Sequence, residues 1–208
     1  MIIAVDGPAA AGKGTLARNL ARHYNLAFLD TGLLYRAVAR IMLDGEIPLT
    51  DQLQAGKAAQ TLTSDMLDDP RLRDEETGSA ASVVSAYPCV RQFLLDFQRK
   101  FAQKPEGAVL DGRDIGTVIV PDADFKFYIT ASPEVRAARR YKELLNRGKK
   151  VIFEDVLADV IKRDERDANR LEAPLIPAQN AVILDTSESD AEQVFKKAVT
   201  LIEYDHIK

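Results

Sequence analysis

The chain has 208 residues but only one cysteine, two histidines and no tryptophan. The single Cys89 excludes an internal disulfide and is typical of a protein from a reducing compartment. His23 and His206 lie in amphipathic stretches without a candidate partner, so we do not expect a thiol–imidazole catalytic pair. Any chemistry performed by this chain should therefore depend on other residue types.

The sequence also has no excess of basic charge and no long hydrophobic run. Its formal net charge is −4, which argues against a nucleic-acid polymer as partner because such binding usually needs a basic surface. No apolar run approaches membrane-spanning length, and the run at residues 2–5 leads directly into a glycine turn, which predicts a strand and not a signal peptide. We expect one compact, cytoplasmic and monomeric protein without a membrane partner.

A glycine-rich loop follows the first apolar run. Residues 7–15 read Gly-Pro-Ala-Ala-Ala-Gly-Lys-Gly-Thr, and the spacing of Gly7, Gly12 and Lys13 fits a loop whose backbone N–H groups and lysine bind phosphates. Apolar residues recur at helical spacing behind it, and a helix N-terminus favours anions. The pattern predicts a strand, a phosphate loop and a helix that together bind a nucleoside triphosphate.

Short apolar runs alternate with helical patterns along the chain, which predicts a parallel sheet covered by helices on both faces. The five runs lie at residues 2–5, 27–29, 108–110, 125–129 and 181–184. Ligands bind beyond the carboxyl ends of such strands. The residues expected at these ends are Asp6, Asp30, Asp111, Thr130 and Asp185. We therefore expect a crevice lined by carboxylates at one edge of the sheet.

Two segments interrupt this alternation. Residues 44–86 are polar and contain no convincing strand, which predicts a small, mostly helical insertion. Residues 139–151 are rich in arginine and lysine and resemble a basic flap, or lid. The remaining segments, residues 1–43, 87–138 and 152–208, form the predicted core.

An apolar stripe becomes charged after the flap. It runs at helical spacing from Phe153 to Val160, and the same spacing then reaches Arg163, Asp167 and Arg170. A solvated helix with surface ion pairs gives the same pattern. Because these positions continue the face of the apolar stripe, we favour a helix whose end points at a charged ligand.

Four motifs together resemble the bacterial cytidylate kinase family of P-loop nucleoside monophosphate kinases. They are residues 7–15, with the Lys-Gly-Thr ending found in kinases of small nucleotides; Leu-Asp-Thr-Gly at 29–32 with Tyr35-Arg36; Asp-Gly-Arg-Asp-Ile-Gly-Thr at 111–117; and Arg-Asp-Glu-Arg-Asp-Ala-Asn-Arg at 163–170. The last two are the most selective, and the resemblance spans nearly the whole chain. It implies an α/β P-loop kinase core with a five-stranded parallel sheet, a monophosphate-binding insertion and a lid. Longer family members have a strand-rich insertion, whereas residues 44–80 here are shorter and predicted to be helical.

The resemblance also implies an activity and residue roles. The family transfers the γ-phosphate of ATP to CMP or dCMP with Mg²⁺. The implied ATP-binding residues are Gly7, Pro8, Ala9, Ala10, Ala11, Gly12, Lys13, Gly14, Thr15, Arg139 and Arg140, with Thr15 on the metal. The implied CMP-binding residues are Thr31, Tyr35, Arg36, Ser82, Arg91, Arg113, Asp114, Arg163, Asp167 and Arg170. Lys13, Arg113, Arg139 and Arg163 would be catalytic, and Ser82, Arg91 and Asp114 would read cytosine.

Phosphoryl transfer suits this residue set because it needs alignment and stabilisation of charge more than a histidine or cysteine base. Two other functions stay open. A related kinase would prefer UMP, AMP or an alcohol such as shikimate as acceptor, because the phosphate loop does not identify the acceptor. A regulatory module would bind ATP without consuming it.

Overall fold

Five parallel strands form the centre of the structure, a computed structural model that describes residues 1–205. The strands are β1 Ile2–Asp6, β2 Ala27–Asp30, β3 Ala108–Gly112, β4 Phe125–Thr130 and β5 Val182–Asp185. They pair in the order β2-β3-β1-β4-β5, and every pair is parallel. The predicted sheet is confirmed, and each strand ends one or two residues later than its apolar run. His206 lies outside the described residues.

Helices cover both faces of this sheet. They are α1 Lys13–His23, α2 Thr31–Asp44, α3 Gln52–Gln60, α4 Glu75–Val84, α5 Pro88–Ala102, α6 Pro133–Asn146, α7 Phe153–Asn169 and α8 Ala191–Asp205. One face of the sheet packs Ile3 and Phe127 against α1 and α8, and the other packs Ala4 and Leu110 against neighbouring buried residues. Within residues 1–205, no helix combines the length and apolarity needed to cross a membrane.

The segment predicted as an insertion consists of helices and turns. After α2 it contains α3, two short 3-10 helices (Ser64–Asp68 and Pro70–Arg73) and α4. Its apolar side chains pack on α2 and α5 in a cluster separate from the two faces of the sheet. The predicted helical character of this segment agrees with the structure, and α4 is brought to the carboxyl edge of the sheet.

The segment predicted as a lid is helical over more than half of its length. Residues 139–146 continue α6, and only residues 147–152 form the connection to α7. The helix persists because Ala137 and Leu144 are buried against Val156 and Val160 of α7. The division into core, insertion and lid stays a prediction.

Asp6 connects the end of β1 to the chain that follows β3. Its carboxylate accepts hydrogen bonds from the backbone N–H groups of Ile115 and Gly116, both at 2.8 Å. These residues open one turn of π-helix, Ile115–Ile119. Burial raises the pKa of Asp6 from 3.8 to about 7, although the two backbone N–H donors oppose the shift.

This raised pKa predicts how stability depends on pH. The folded protein binds a proton at Asp6 more tightly than the unfolded chain, so the contribution of Asp6 to the free energy of unfolding is largest below pH 3.8 and is lost as pH rises to about 7. The difference in stability between the wild type and Asp6→Asn should therefore fall over this interval, by at most about 1.4 kcal/mol per pH unit.

Urea denaturation at several pH values measures this difference. Asp122→Asn makes the same chemical change at an exposed position, so it is the matched control and should show little pH-dependent change. A difference that grows with rising pH would mean that the two N–H donors outweigh burial.

Candidate active site

The phosphate loop has the geometry that its sequence predicts. It leaves β1 at Gly7, where φ is +143° and a Cβ atom would lie 2.0 Å from the carbonyl oxygen of Ile129. Gly12, with φ +95°, precedes the first residue of α1. The Nζ of Lys13 donates to the carbonyl of Pro8 at 2.8 Å, so the side chain folds back over the loop. Only glycine fits position 7, because the backbone of β4 passes where a side chain would be.

A cavity of about 870 Å³ opens above this loop. Of the predicted ATP-binding residues, those that line it are Ala9, Ala10, Gly12, Lys13, Gly14, Thr15, Arg139 and Arg140. Gly7 and Pro8 do not line it and instead shape the loop. Ala11 lines a neighbouring cavity of about 270 Å³, which shares Thr15 and Arg139 with the large one. The predicted donor side is thus brought together by the fold.

A second, smaller cavity of about 90 Å³ contains nearly all of the residues predicted for the acceptor. Its lining includes Thr31, Tyr35, Arg36, Ser82, Arg113, Asp114, Arg163, Asp167 and Arg170. Thr31 Oγ1 donates to the carbonyl of Asp111 at 2.8 Å, and Ser82 Oγ donates to Asp167 Oδ1 at 3.3 Å. The short insertion therefore still places Ser82 at this cavity, by way of α4.

Three arginines line both cavities: Arg36, Arg113 and Arg163. Burial and the nearby Arg163 lower the pKa of Arg36 to about 10, and burial and Arg113 lower the pKa of Arg163. The Nε of Arg163 is buried and has no hydrogen-bond partner within residues 1–205. In the described part of the chain, Asp167 is the one carboxylate that pairs directly with a member of this group, at 2.9 Å from Arg113 Nε. An anion placed between the cavities would relieve the mutual repulsion of these cations.

A buried network of ion pairs forms the far side of the small cavity. Arg91 pairs with Asp114, and Arg170 Nη2 lies 3.5 Å from the other carboxylate oxygen of Asp114. Arg91 also donates to the hydroxyl of Tyr35 at 3.3 Å. Arg91 itself is buried and does not line the cavity, and it lies behind Asp114, which does.

The charged end of α7 lies where the apolar stripe predicts. Val156 and Val160 are buried against α6, and Asp167 is buried at the small cavity. Arg170 was expected on the same helical face, but α7 ends at Asn169 and the backbone of Arg170 is extended. Its Nε donates to the carbonyl of Ala173 at 2.5 Å, which holds the side chain at the cavity from outside the helix.

The two predicted lid arginines make different contacts. Arg139 donates to Thr186 Oγ1 at 2.8 Å and to its carbonyl at 2.5 Å. Thr186 Oγ1 in turn donates to the carbonyl of Ala11 at 3.0 Å. Arg140 pairs with Glu75 at the start of α4 and with Glu143. Arg139 is thus linked to the phosphate loop, and Arg140 to the insertion.

Several residues of the site were not assigned from the sequence. The large cavity is also lined by Arg18, Asp30, Glu75, Asp111, Glu143, Lys150, Asp155 and Asp159. Asp30 and Asp111 end two strands and were expected to line this crevice, although no ligand role was assigned to them. Thr186 follows the end of β5 and could have been found in the same way. Asp185, by contrast, is exposed and accepts from the N–H of Ser187 at 2.8 Å.

Burial also changes the acidity of two groups at the phosphate loop. It raises the pKa of Asp111 from 3.8 to about 6, against the effect of Lys13. Burial and the guanidinium of Arg113 lower the pKa of Lys13 from 10.5 to about 8. Perturbed groups in a cleft are typical of functional sites.

Solved structures share this architecture at low sequence identity. An uncharacterized protein from Eubacterium ventriosum has a TM-score of 0.58 and 16% identity, with 98% of each chain covered. The unliganded structure of a sugar kinase from Janibacter has a TM-score of 0.50 and 16% identity, covering 97% of this chain and 93% of the other. At this identity the likeness shows the fold alone.

Curated relatives are much closer in sequence. The chain is 60% identical to a cytidylate kinase from Methylobacterium sp. (strain 4-46) over 98% of this chain and 97% of the relative. It is 55% identical to a cytidylate kinase from Rhodopseudomonas palustris, covering 98% and 96%, and 56% identical to one from Methylocella silvestris, covering 99% and 95%. The family model described as cytidylate kinase matches residues 3–204. The chain therefore belongs to the cytidylate kinase family.

Proposed function

We propose that this protein transfers the γ-phosphoryl group of ATP to CMP or dCMP and releases ADP with CDP or dCDP. Membership of the cytidylate kinase family supports the reaction. The structural observation that carries the proposal is that Arg36, Arg113 and Arg163 line both the cavity above the phosphate loop and the small cavity beside Asp114. Arginines that line both cavities can stabilise the negative charge of a phosphoryl group as it passes from one cavity to the other.

The reaction forms a bond between an acceptor phosphate oxygen and the γ-phosphorus and breaks the bond from that phosphorus to ADP. We assign Lys13 to the β and γ phosphates of ATP, and Arg139 to the donor side. Arg36 and Arg113 bind the acceptor phosphate, and Arg163 stabilises the charge on the group in transit. An arginine in such a position is worth about 10³–10⁵ in rate.

Mg²⁺ fits the donor side of this site. A hard cation prefers oxygen ligands and is usually bound through one or two protein oxygens together with substrate phosphates. Thr15 and the carboxylates of Asp30 and Asp111 line the large cavity. Among the described residues, no group of three or more His, Cys, Asp or Glu side chains could hold a metal by itself. We therefore assign the ion to Thr15 and the ATP phosphates, where it would neutralise charge.

We assign recognition of cytosine to the network around Asp114. A fixed carboxylate accepts hydrogen bonds and so favours the amino group of cytosine over the carbonyl oxygen of uracil. Arg91 and Arg170 both lie on Asp114 and hold its orientation. Arg91 was expected to donate to the base directly, and in the geometry described above it acts from behind the carboxylate.

We further propose a monomeric cytoplasmic enzyme without a nucleic-acid polymer as partner. The lone Cys89 supports the reducing, cytoplasmic location, and the net charge of −4 argues against a nucleic-acid polymer. Light scattering of the purified protein at several concentrations tests the monomer, and a mass twice that of the chain would contradict it.

The test of the proposed reaction is ADP release from ATP and Mg²⁺ with CMP, dCMP, UMP, AMP and shikimate supplied separately. Turnover should be fast with CMP or dCMP and slow with the others, and Lys13→Ala should lower it about 100- to 1,000-fold. Turnover led by another acceptor would favour the related-kinase alternative. Binding of ATP without turnover for any acceptor would favour the regulatory module.

The lowered pKa of Lys13 predicts a pH dependence. A lysine carries its charge below its pKa, so kcat/KM for ATP should fall as pH rises through about 8. In the complex the phosphates favour the charged amine, so kcat should persist to higher pH. Lys13→Arg, which stays charged, should show no such fall in its residual activity. A wild-type profile that is flat to pH 10 would contradict the assignment.

The assignment of Asp114 predicts a loss of selectivity. In Asp114→Asn the preference for CMP over UMP, as a ratio of kcat/KM values, should fall by about 10- to 100-fold, because the amide presents a donor as well as an acceptor. Asp122→Asn makes the same chemical change at an exposed position and should keep the preference. An unchanged ratio in a folded Asp114→Asn enzyme would place base recognition elsewhere.

A further inference from the structure

Gly78, in α4, contacts two of the three arginines shared by the cavities. Its carbonyl oxygen accepts a hydrogen bond from Arg163 Nη2 at 2.9 Å. A Cβ atom at this position would lie 2.9 Å from Arg36 Nη2, 3.0 Å from Nη1 and 3.2 Å from Cζ. The guanidinium of Arg36 therefore lies where a side chain of residue 78 would be.

Arg36 is also held from a second direction. Its Nη1 donates to the carbonyl of Leu72 at 2.7 Å and approaches the carbonyl of Asp74 at 3.3 Å. A side chain at residue 78 would push the guanidinium off its place and strain these bonds. The displaced group is the end of a flexible side chain, so the arginine would move while the helix stays in position.

Helix geometry does not by itself explain a glycine at this position. Gly78 is a buried residue inside α4 and is not one of the glycines with positive φ. Alanine can adopt the same backbone conformation and is the better helix former. The space that the glycine leaves is filled by Arg36, which gives the residue a role in the site.

We propose that Gly78 is a positioning residue for the acceptor phosphate, because its missing side chain seats Arg36 and its carbonyl orients Arg163. This inference rests on the proposed function, in which both arginines act on the acceptor or the transferred group. Gly78 itself does not line either cavity and acts through the two guanidinium groups.

Gly78→Ala tests the inference because it separates positioning from stability. KM for CMP should rise about tenfold, as expected when a charge-assisted hydrogen bond to the phosphate is misaligned, while KM for ATP changes less than about twofold. Tm should stay the same or rise, since alanine favours the helix. A purely structural role would instead lower Tm and affect both substrates alike, and that result would overturn the inference.

Two further variants complete the experiment. Gly56→Ala is the matched control in α3, where a Cβ atom would meet only Cys89, at 3.2 Å from Sγ and 3.3 Å from Cβ; KM for CMP should not change. Arg36→Lys keeps the charge but loses the planar fork, and KM for CMP should rise. If Arg36→Lys has no effect, the assigned role of Arg36 fails. If Arg36→Lys raises KM but Gly78→Ala does not, the inference about Gly78 alone is overturned.

Discussion

The repulsion among Arg36, Arg113 and Arg163 is the constraint on which the rest of the site depends. Three half-buried cations must be held beside the two cavities that they share. The structure meets this requirement with Asp167 and with the main-chain carbonyls of Leu72 and Gly78. Because each of the three arginines comes from a different part of the chain, the sheet, α2, α4 and α7 all have to be in place for the cluster to exist. The site is therefore a property of the whole fold.

The sheet order explains how both sides of the site share one edge. β1 lies between β3 and β4, so the phosphate loop leaves the sheet at a point where neighbouring connections run to opposite sides. Asp6, at the end of β1, binds the N–H groups of the turn that follows Arg113 and Asp114. One buried carboxylate thereby joins the start of the phosphate loop to the turn after Asp114.

Local signals made the strands, the phosphate loop and the charged end of α7 predictable from the sequence, whereas family resemblance supplied most of the predicted site residues. Gly7 is part of the phosphate-loop motif, and its steric requirement is therefore visible in the sequence. The carboxylates at the strand ends are visible as well, because they directly follow the apolar runs. No local sequence pattern predicted the contacts between distant segments of the chain. The burial of Arg91 depends on Asp114, 23 residues away, and the contact between Thr186 and Ala11 joins residues 175 apart. Family resemblance supplied the role of Ser82, which the pattern of α4 alone does not reveal.

Arg36 and Arg163 are held by backbone oxygens of residues 72, 74 and 78, and this has a consequence for evolution. The carbonyls of Leu72, Asp74 and Gly78 remain whatever side chains those positions carry. Residue 74 can therefore drift among lineages without loss of the acceptor that it offers to Arg36, whereas residue 72 is also constrained by the burial of its own leucine side chain. Residue 78 has no such freedom, since any Cβ atom there meets the guanidinium. Within this short segment, natural variation should be broad at residue 74 and narrow at residue 78, with apolar side chains retained at residue 72.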